Sequence, residues 1–205
     1  MRRSFFAALS VAAASFAYLT GAEGADAVAG KNLAAPCAAC HGENGVANLA
    51  GSANLAGQNQ KYLERQLVAI RDAQRPVPLM AGQLDGKSDE DLANLAAYYA
   101  SLPPIVGQAG AEALEVGARI YRGGIVSKGV AACSACHSPT GGGNAPAGFP
   151  RLSGQAADYV VTQLKGYREG QRSTDEEYGG MMRQVAGNLT DGEMAAVANY
   201  IRGLH

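Results

Sequence analysis

Four cysteines and three histidines hold most of the reactive chemistry available to this 205-residue chain, and two of the histidines directly follow cysteine pairs. Cys37-Ala38-Ala39-Cys40-His41 and Cys133-Ser134-Ala135-Cys136-His137 are two copies of one C-x-x-C-H pattern, 96 residues apart. Two cysteines three apart on a helical turn face the same way, close enough to reach two vinyl groups on one porphyrin edge. The adjacent histidine is then held beneath the iron with an imidazole nitrogen free to ligate it. The pattern reads as covalent c-type haem attachment, once per copy. A shared zinc site would need a tetrahedral set of four ligands and would leave the methionine pattern below unexplained. A thioredoxin-like redox pair needs a βαβ context that this sequence lacks. Structural disulfides would make the adjacent histidine incidental twice over.

An axial position opposite each histidine calls for a soft sulfur or a second imidazole. The remaining histidine, His205, stands at the chain end and cannot serve two sites. Met80 lies 39 residues after His41 and eight before Ser88; Met182 lies 45 after His137 and eight before Thr190. Equal distance to the downstream helix selects Met182 over its neighbour Met181, and Met194, which aligns with Leu92, is expected to pack in the core. Met/His ligation raises the reduction potential, and two strong axial ligands leave no open position for oxygen or peroxide.

The elements that must position these groups are themselves repeated. Leu55-Ala56-Gly57-Gln58 answers to Leu152-Ser153-Gly154-Gln155, and Tyr62, Gln66, Leu67, Arg71 and Arg75 match Tyr159, Gln163, Leu164, Arg168 and Arg172, all at an offset of 97. Met80/Met182, Ser88/Thr190, Asp91/Glu193 and Tyr98/Tyr200 follow at 102, which places a five-residue insertion just before Met182. A unit this long is a duplicated domain and not a solenoid repeat. Leu63, Gln66, Leu67 and Ile70 keep helical spacing, and Ser88 and Thr190 begin capping boxes. Each box opens a final helix, with Leu92, Leu95 and Tyr99 inward in one unit and Met194, Val197 and Ile201 in the other. The expected class is all-α, with a joint at Leu102-Pro103-Pro104, a first domain over 28–104 and a second over 105–205. Residues 1–27 read as a secretory signal: Arg2-Arg3, an apolar run from Phe5 to Leu19, and a cut after Ala27.

Composition narrows the function further. Lys and Arg number 17 against 18 Asp and Glu, a formal net charge of −1, so no excess of positive charge serves nucleic acid. A hydrophobic content of 47% excludes disorder, yet aromatics make up only 6% and glycines number 27. Domains so small and so poor in large rings are marginal on their own side chains. A porphyrin in each would supply the missing apolar bulk, and without haem the chain is not expected to fold.

On both C-x-x-C-H motifs, the Leu-x-Gly-Gln segments, the Tyr-x-x-x-Gln-Leu helices ending in Arg75 and Arg172, and the methionine-to-cap spacing, the chain resembles the cytochrome c4 family over nearly all of its mature length. The resemblance implies two tandem class I cytochrome c domains related by a pseudo-twofold axis, with two covalently attached haem c groups. Cys37, Cys40, Cys133 and Cys136 would attach them, His41 and His137 would be the proximal iron ligands, and Met80 and Met182 the distal ones. It further implies a periplasmic electron-transfer protein rather than an enzyme, at most peripherally membrane-associated, that passes single electrons between redox protein partners such as a donor and a terminal oxidase. An alternative is the diheme electron-accepting subunit of a larger dehydrogenase, such as flavocytochrome sulfide dehydrogenase. Because haem joins such proteins after export of an unfolded chain, Arg2-Arg3 reads as general secretion and not as twin-arginine export. The repeated Arg71/Arg168 and Arg75/Arg172 could face haem propionates or solvent, and Tyr98 and Tyr200 are expected to pack beside the haem. The family's proline two residues before Leu-x-Gly-Gln is present at Pro150 but replaced by Ala53 in the first unit, so the first haem is expected to be held less firmly.

Overall fold

Residues 24–205 are described in the computed structural model; the expected signal segment lies outside the described residues as far as residue 23. Each half begins with a helix whose main requirement is a glycine. In the first half α1 (Ala27–Leu33) is followed by the short α2 (Ala38–His41), then α3 (Gln60–Arg71) and α4 (Asp89–Ser101). In the second half α5 (Leu114–Gly123) and α6 (Ser134–His137) precede α7 (Ala157–Arg168), the short α8 (Met181–Gly187) and α9 (Asp191–Arg202). Among the described residues the only β pairing is two isolated bridges, Ile125 with Val130 and Asn144 with Phe149. No described helix is long and apolar enough to cross a membrane.

The first and last helices of each half cross at backbone contact. A Cβ on Gly30 would sit 1.9 Å from the Asn94 carbonyl oxygen, and one on Gly117 would sit 2.1 Å from that of Ala196. Both glycines also lie against the Cβ of Tyr98 or Tyr200. This pairing has an offset of 87, not the 96 of the cysteine motifs, because Cys133 lies sixteen positions after Gly117 while Cys37 lies seven after Gly30. The extra residues form a turn closed by the Ile125–Val130 bridge. Asp26 caps α1 through its side chain and donates its own backbone N–H to Asn94 Oδ1 at 2.6 Å.

The two final helices begin as expected. Ser88 and Asp91 form a reciprocal capping box at the start of α4, and Thr190 and Glu193 form another at α9. Leu92, Leu95 and Tyr99 are buried in the first core with Leu63 and Leu84; Met194, Val197 and Ile201 are buried in the second with Ile120, Tyr121 and Leu164. Arg71 and Arg168 take a structural role. Arg71 bonds Asp89 and the Lys87 carbonyl, and Arg168 bonds Asp191 and the Leu189 carbonyl, so each ties the end of one helix to the start of the final helix of its half.

The joint is ordered on both sides. Helix α4 stops at Ser101, and Leu102 is extended, as a residue before proline should be. Pro104 then packs on Gly57, and the Ile105 carbonyl packs on Gly154. Both glycines have φ near +70° (66° and 74°), and a side chain on either would collide with the linker. The linker therefore runs between the two Leu-x-Gly-Gln segments.

Candidate functional site

A cysteine pair on one turn, followed by histidine, forms the same local structure twice. Cys37 ends a 3₁₀ turn that runs into α2, and Cys133 stands at the N-cap of α6. The four cysteines are half-buried, and no two of them are joined in a disulfide. Burial raises the Cys37 thiol above its ordinary pKa and pushes Cys133 up to about 11. A redox-active C-x-x-C needs the opposite shift, toward a thiolate at neutral pH.

His41 and His137 are buried, at 9% and 7% exposure. The Nδ1 of His41 lies 2.8 Å from the Ala53 carbonyl oxygen, and that of His137 lies 2.9 Å from the Pro150 carbonyl oxygen. A carbonyl can only accept, so each Nδ1 carries the proton and each Nε2 keeps its lone pair for a metal. Burial also lowers the pKa of His137, which favours the neutral, ligating form. The hydrogen bond is equally short with Ala53 or Pro150 as acceptor, so the loss of the proline has not lengthened it.

Met80 ends a 3₁₀ turn and packs against the first core, as do Cys37 and Leu55. Met182 packs against the second core with Cys133 and Leu152, whereas Met181 is 37% exposed. Each predicted methionine therefore shares a cluster with the first cysteine of its own half.

Between the halves lies a buried polar layer built from residues of the repeat. Arg75 donates to Gln66 Oε1 (2.9 Å), to the Tyr159 hydroxyl (2.9 Å) and to Gln163 Oε1 (2.7 Å). Arg172 reciprocates with Gln163 (2.8 Å), Tyr62 (2.9 Å) and Gln66 (2.8 Å). These reciprocal contacts are what a twofold relation between two like surfaces requires. Both arginines are only 6% exposed, and every one of these partners is neutral. Burial alone would raise the Tyr62 hydroxyl pKa, but the field of Arg172 and Arg75 brings it below the ordinary value.

Two buried cations sharing neutral acceptors call for an anion. Gln66 Nε2, Arg65 Nε and Arg151 Nε are also buried donors without an acceptor among the described residues. A porphyrin bearing carboxylates at its edge fits that donor set, and its apolar body fits the apolar clusters against which the cysteine and methionine of each half both pack. The residues present therefore suit haem in each half.

Sequence reasoning singled out the cysteines, histidines and methionines as candidates but gave no partners for the repeated Gln58, Gln155, Gln66 and Gln163. The available signal was their polarity at matched positions of two units, which a twofold interface explains and two independently solvated surfaces do not. Beyond that symmetric layer the contact is uneven. Tyr178, near the five-residue insertion, bonds Arg65 and packs its ring at a tilt against Phe149, with centroids 5.5 Å apart, and it has no counterpart in the first half.

Comparison with known proteins agrees with this arrangement. The cytochrome c family model matches residues 27–103 and again 117–205. Cytochrome c4 of Azotobacter vinelandii is 45% identical over 189 residues, covering 88% of this chain and 90% of that protein. The crystal structure of reduced recombinant cytochrome c4 from Pseudomonas stutzeri superposes with a TM-score of 0.85 at 41% identity, over 88% of this chain and 99% of that one. A thiosulfate dehydrogenase electron acceptor of Thiomonas intermedia is 39% identical over 173 residues, covering 82% of this chain and 78% of its own.

Proposed function

We propose, for a chain that belongs to the cytochrome c family and to its diheme c4 group, that Cys37 and Cys40 attach one haem c, and Cys133 and Cys136 the other. His41 and His137 are the proximal ligands and Met80 and Met182 the distal ones. The observation that carries this reading is the pair of buried histidines whose Nδ1 protons are committed to backbone carbonyls, which leaves each Nε2 for iron. Haem iron so held supplies one-electron chemistry. The chain's own work is to fix both axial ligands, exclude water from them and set the two halves face to face. The protein carries single electrons between periplasmic redox partners, for example toward a terminal oxidase, and catalyses no bond chemistry of its own.

The test is an intact mass with a reduced-minus-oxidised visible spectrum on the exported protein. Two covalent haems and c-type bands are expected, and fewer than two would end the diheme reading. The same mass locates the mature N-terminus. Because Asp26 caps α1, we place the cut before Asp26, a little earlier than the Ala27 site read from the sequence.

Met182 and Met181 separate by substitution. Met182→Ala is expected to let the reduced protein bind about one carbon monoxide per chain by opening a coordination position, whereas Met181→Ala binds none. Equal behaviour of the two would remove Met182 as the ligand.

The similarity to a thiosulfate dehydrogenase electron acceptor favours a second reading, in which the chain is the diheme acceptor of a periplasmic dehydrogenase. Copurification of such an enzyme, with reduction of this chain by its substrate, would select it.

A further inference from the structure

Gln58 and Gln155 close the two Leu-x-Gly-Gln segments, and both are 7% exposed. Each reaches across the domain interface to a backbone peptide of the other half. Gln155 Oε1 accepts from Asn54 N–H at 2.8 Å, and its Nε2 donates to the Asn54 carbonyl at 3.0 Å. Gln58 does the same to Arg151, at 2.7 Å from its N–H and 2.8 Å from its carbonyl. Backbone partners of both kinds leave no ambiguity in which end of each amide is oxygen. A second bond, from the N–H of the next residue in its own chain segment, fixes each Oε1 further: Asn59 to Gln58 at 2.9 Å and Ala156 to Gln155 at 3.0 Å.

The residues held in this way are not arbitrary. Asn54 directly follows Ala53, whose carbonyl accepts the His41 Nδ1 proton, and Arg151 directly follows Pro150, whose carbonyl accepts that of His137. We infer that Gln155 and Gln58 are crossed positioning residues: each domain's glutamine holds the carbonyl that orients and polarises the other domain's iron-ligating histidine. The inference rests on the histidine ligation proposed above.

The consequence is a dependence of each haem on the opposite domain. A firm Nδ1–H···O bond makes the imidazole a more basic ligand and favours ferric iron. Loosening the carbonyl weakens that bond and raises the potential of the haem concerned. The two clamps are unequal. Pro150 has its φ fixed by the ring, while Ala53 has no such restraint, so Gln155 carries more of the burden in the first half than Gln58 does in the second.

The test uses Gln155→Met and Gln58→Met in the full diheme protein, with the potential of each haem followed separately by NMR of its assigned methyl groups. Gln155→Met is expected to raise the first-domain haem while leaving the second nearly unchanged. A threefold change in the ferric/ferrous ratio is the expected size, about 28 mV at about 59 mV per tenfold for one electron. Gln58→Met is expected to raise the second-domain haem by less. Hydrogen exchange of the His41 Nδ1 proton should quicken in Gln155→Met and not in Gln58→Met. Equal shifts of both haems, a shift confined to the substituted residue's own domain, or no shift would overturn the proposal. If Gln155→Met fails to retain haem, Gln155→Asn carries the same test, since its amide is one methylene too short to span both peptide groups. Each variant is first checked for two covalent haems and an unchanged low-spin spectrum. Absence of the crossed shift then counts against the clamp alone, whereas absence of histidine ligation in the unsubstituted protein counts against the function.

Discussion

A chain in which Cys133 and Cys136 are both replaced by serine is expected to lose the fold of its second domain, with roughly half of the helical circular dichroism and no cooperative melting from that half. The reason lies in what surrounds the site. The second core is built from Ile120, Tyr121, Leu164, Met194 and Val197, and half-buried Cys133, Leu152 and Met182 pack against it. In the same half the Tyr200 hydroxyl is buried without a partner among the described residues, and the buried Arg172 meets only neutral groups. A domain of about 100 residues has little stability to spare, and thioether attachment keeps a large apolar body and its charges in place during folding. Retention of full ellipticity and a single sharp transition by the serine variant would show that the side chains alone suffice.

Gly117→Ala is expected to destabilise the second domain by roughly 2–4 kcal/mol, with a fall in its melting temperature on the order of 10–20 °C. A methyl group there would stand 2.1 Å from the Ala196 carbonyl oxygen and 2.8 Å from Tyr200 Cβ. Neither neighbour is the free end of a flexible chain, so α5 must move away from α9. That movement displaces Ile120 and Tyr121, both buried. Gly192→Ala is the matched control. It lies in the first turn of α9, where an added methyl would meet nothing within 4 Å, and alanine's better helix propensity should leave stability unchanged or slightly raised. Differential scanning calorimetry of the two holoproteins decides it, and equal melting temperatures would show that the helix crossing tolerates the methyl.

Much of the fold was legible because its signals are local. The capping boxes at Ser88 and Thr190 lie within four residues, and the buried stripes of α4 and α9 follow from helical periodicity. The first helices were not legible. Ala27–Leu33 and Leu114–Gly123 depend on Gly30 and Gly117, and the extra turn before Cys133 shifts that pair out of the register shared by the rest of the repeat. A glycine that permits helix contact carries no local mark, since its reason is a carbonyl on a helix more than 60 residues away.

The arginines draw the same line more finely. Arg71 and Arg75 are four apart, and Arg168 and Arg172 repeat them, yet one pair faces Asp89 and Asp191 at the surface while the other is buried between the halves. By itself the sequence determined the chemistry that fits within a helical turn: two cysteines and a histidine at fixed spacing, and hence two haems in a duplicated all-α chain. Only the tertiary structure decided which repeated polar residues meet across the interface. That choice depends on how two folded surfaces dock, and the contacts that answer it, such as Gln155 with Asn54, join residues about a hundred positions apart.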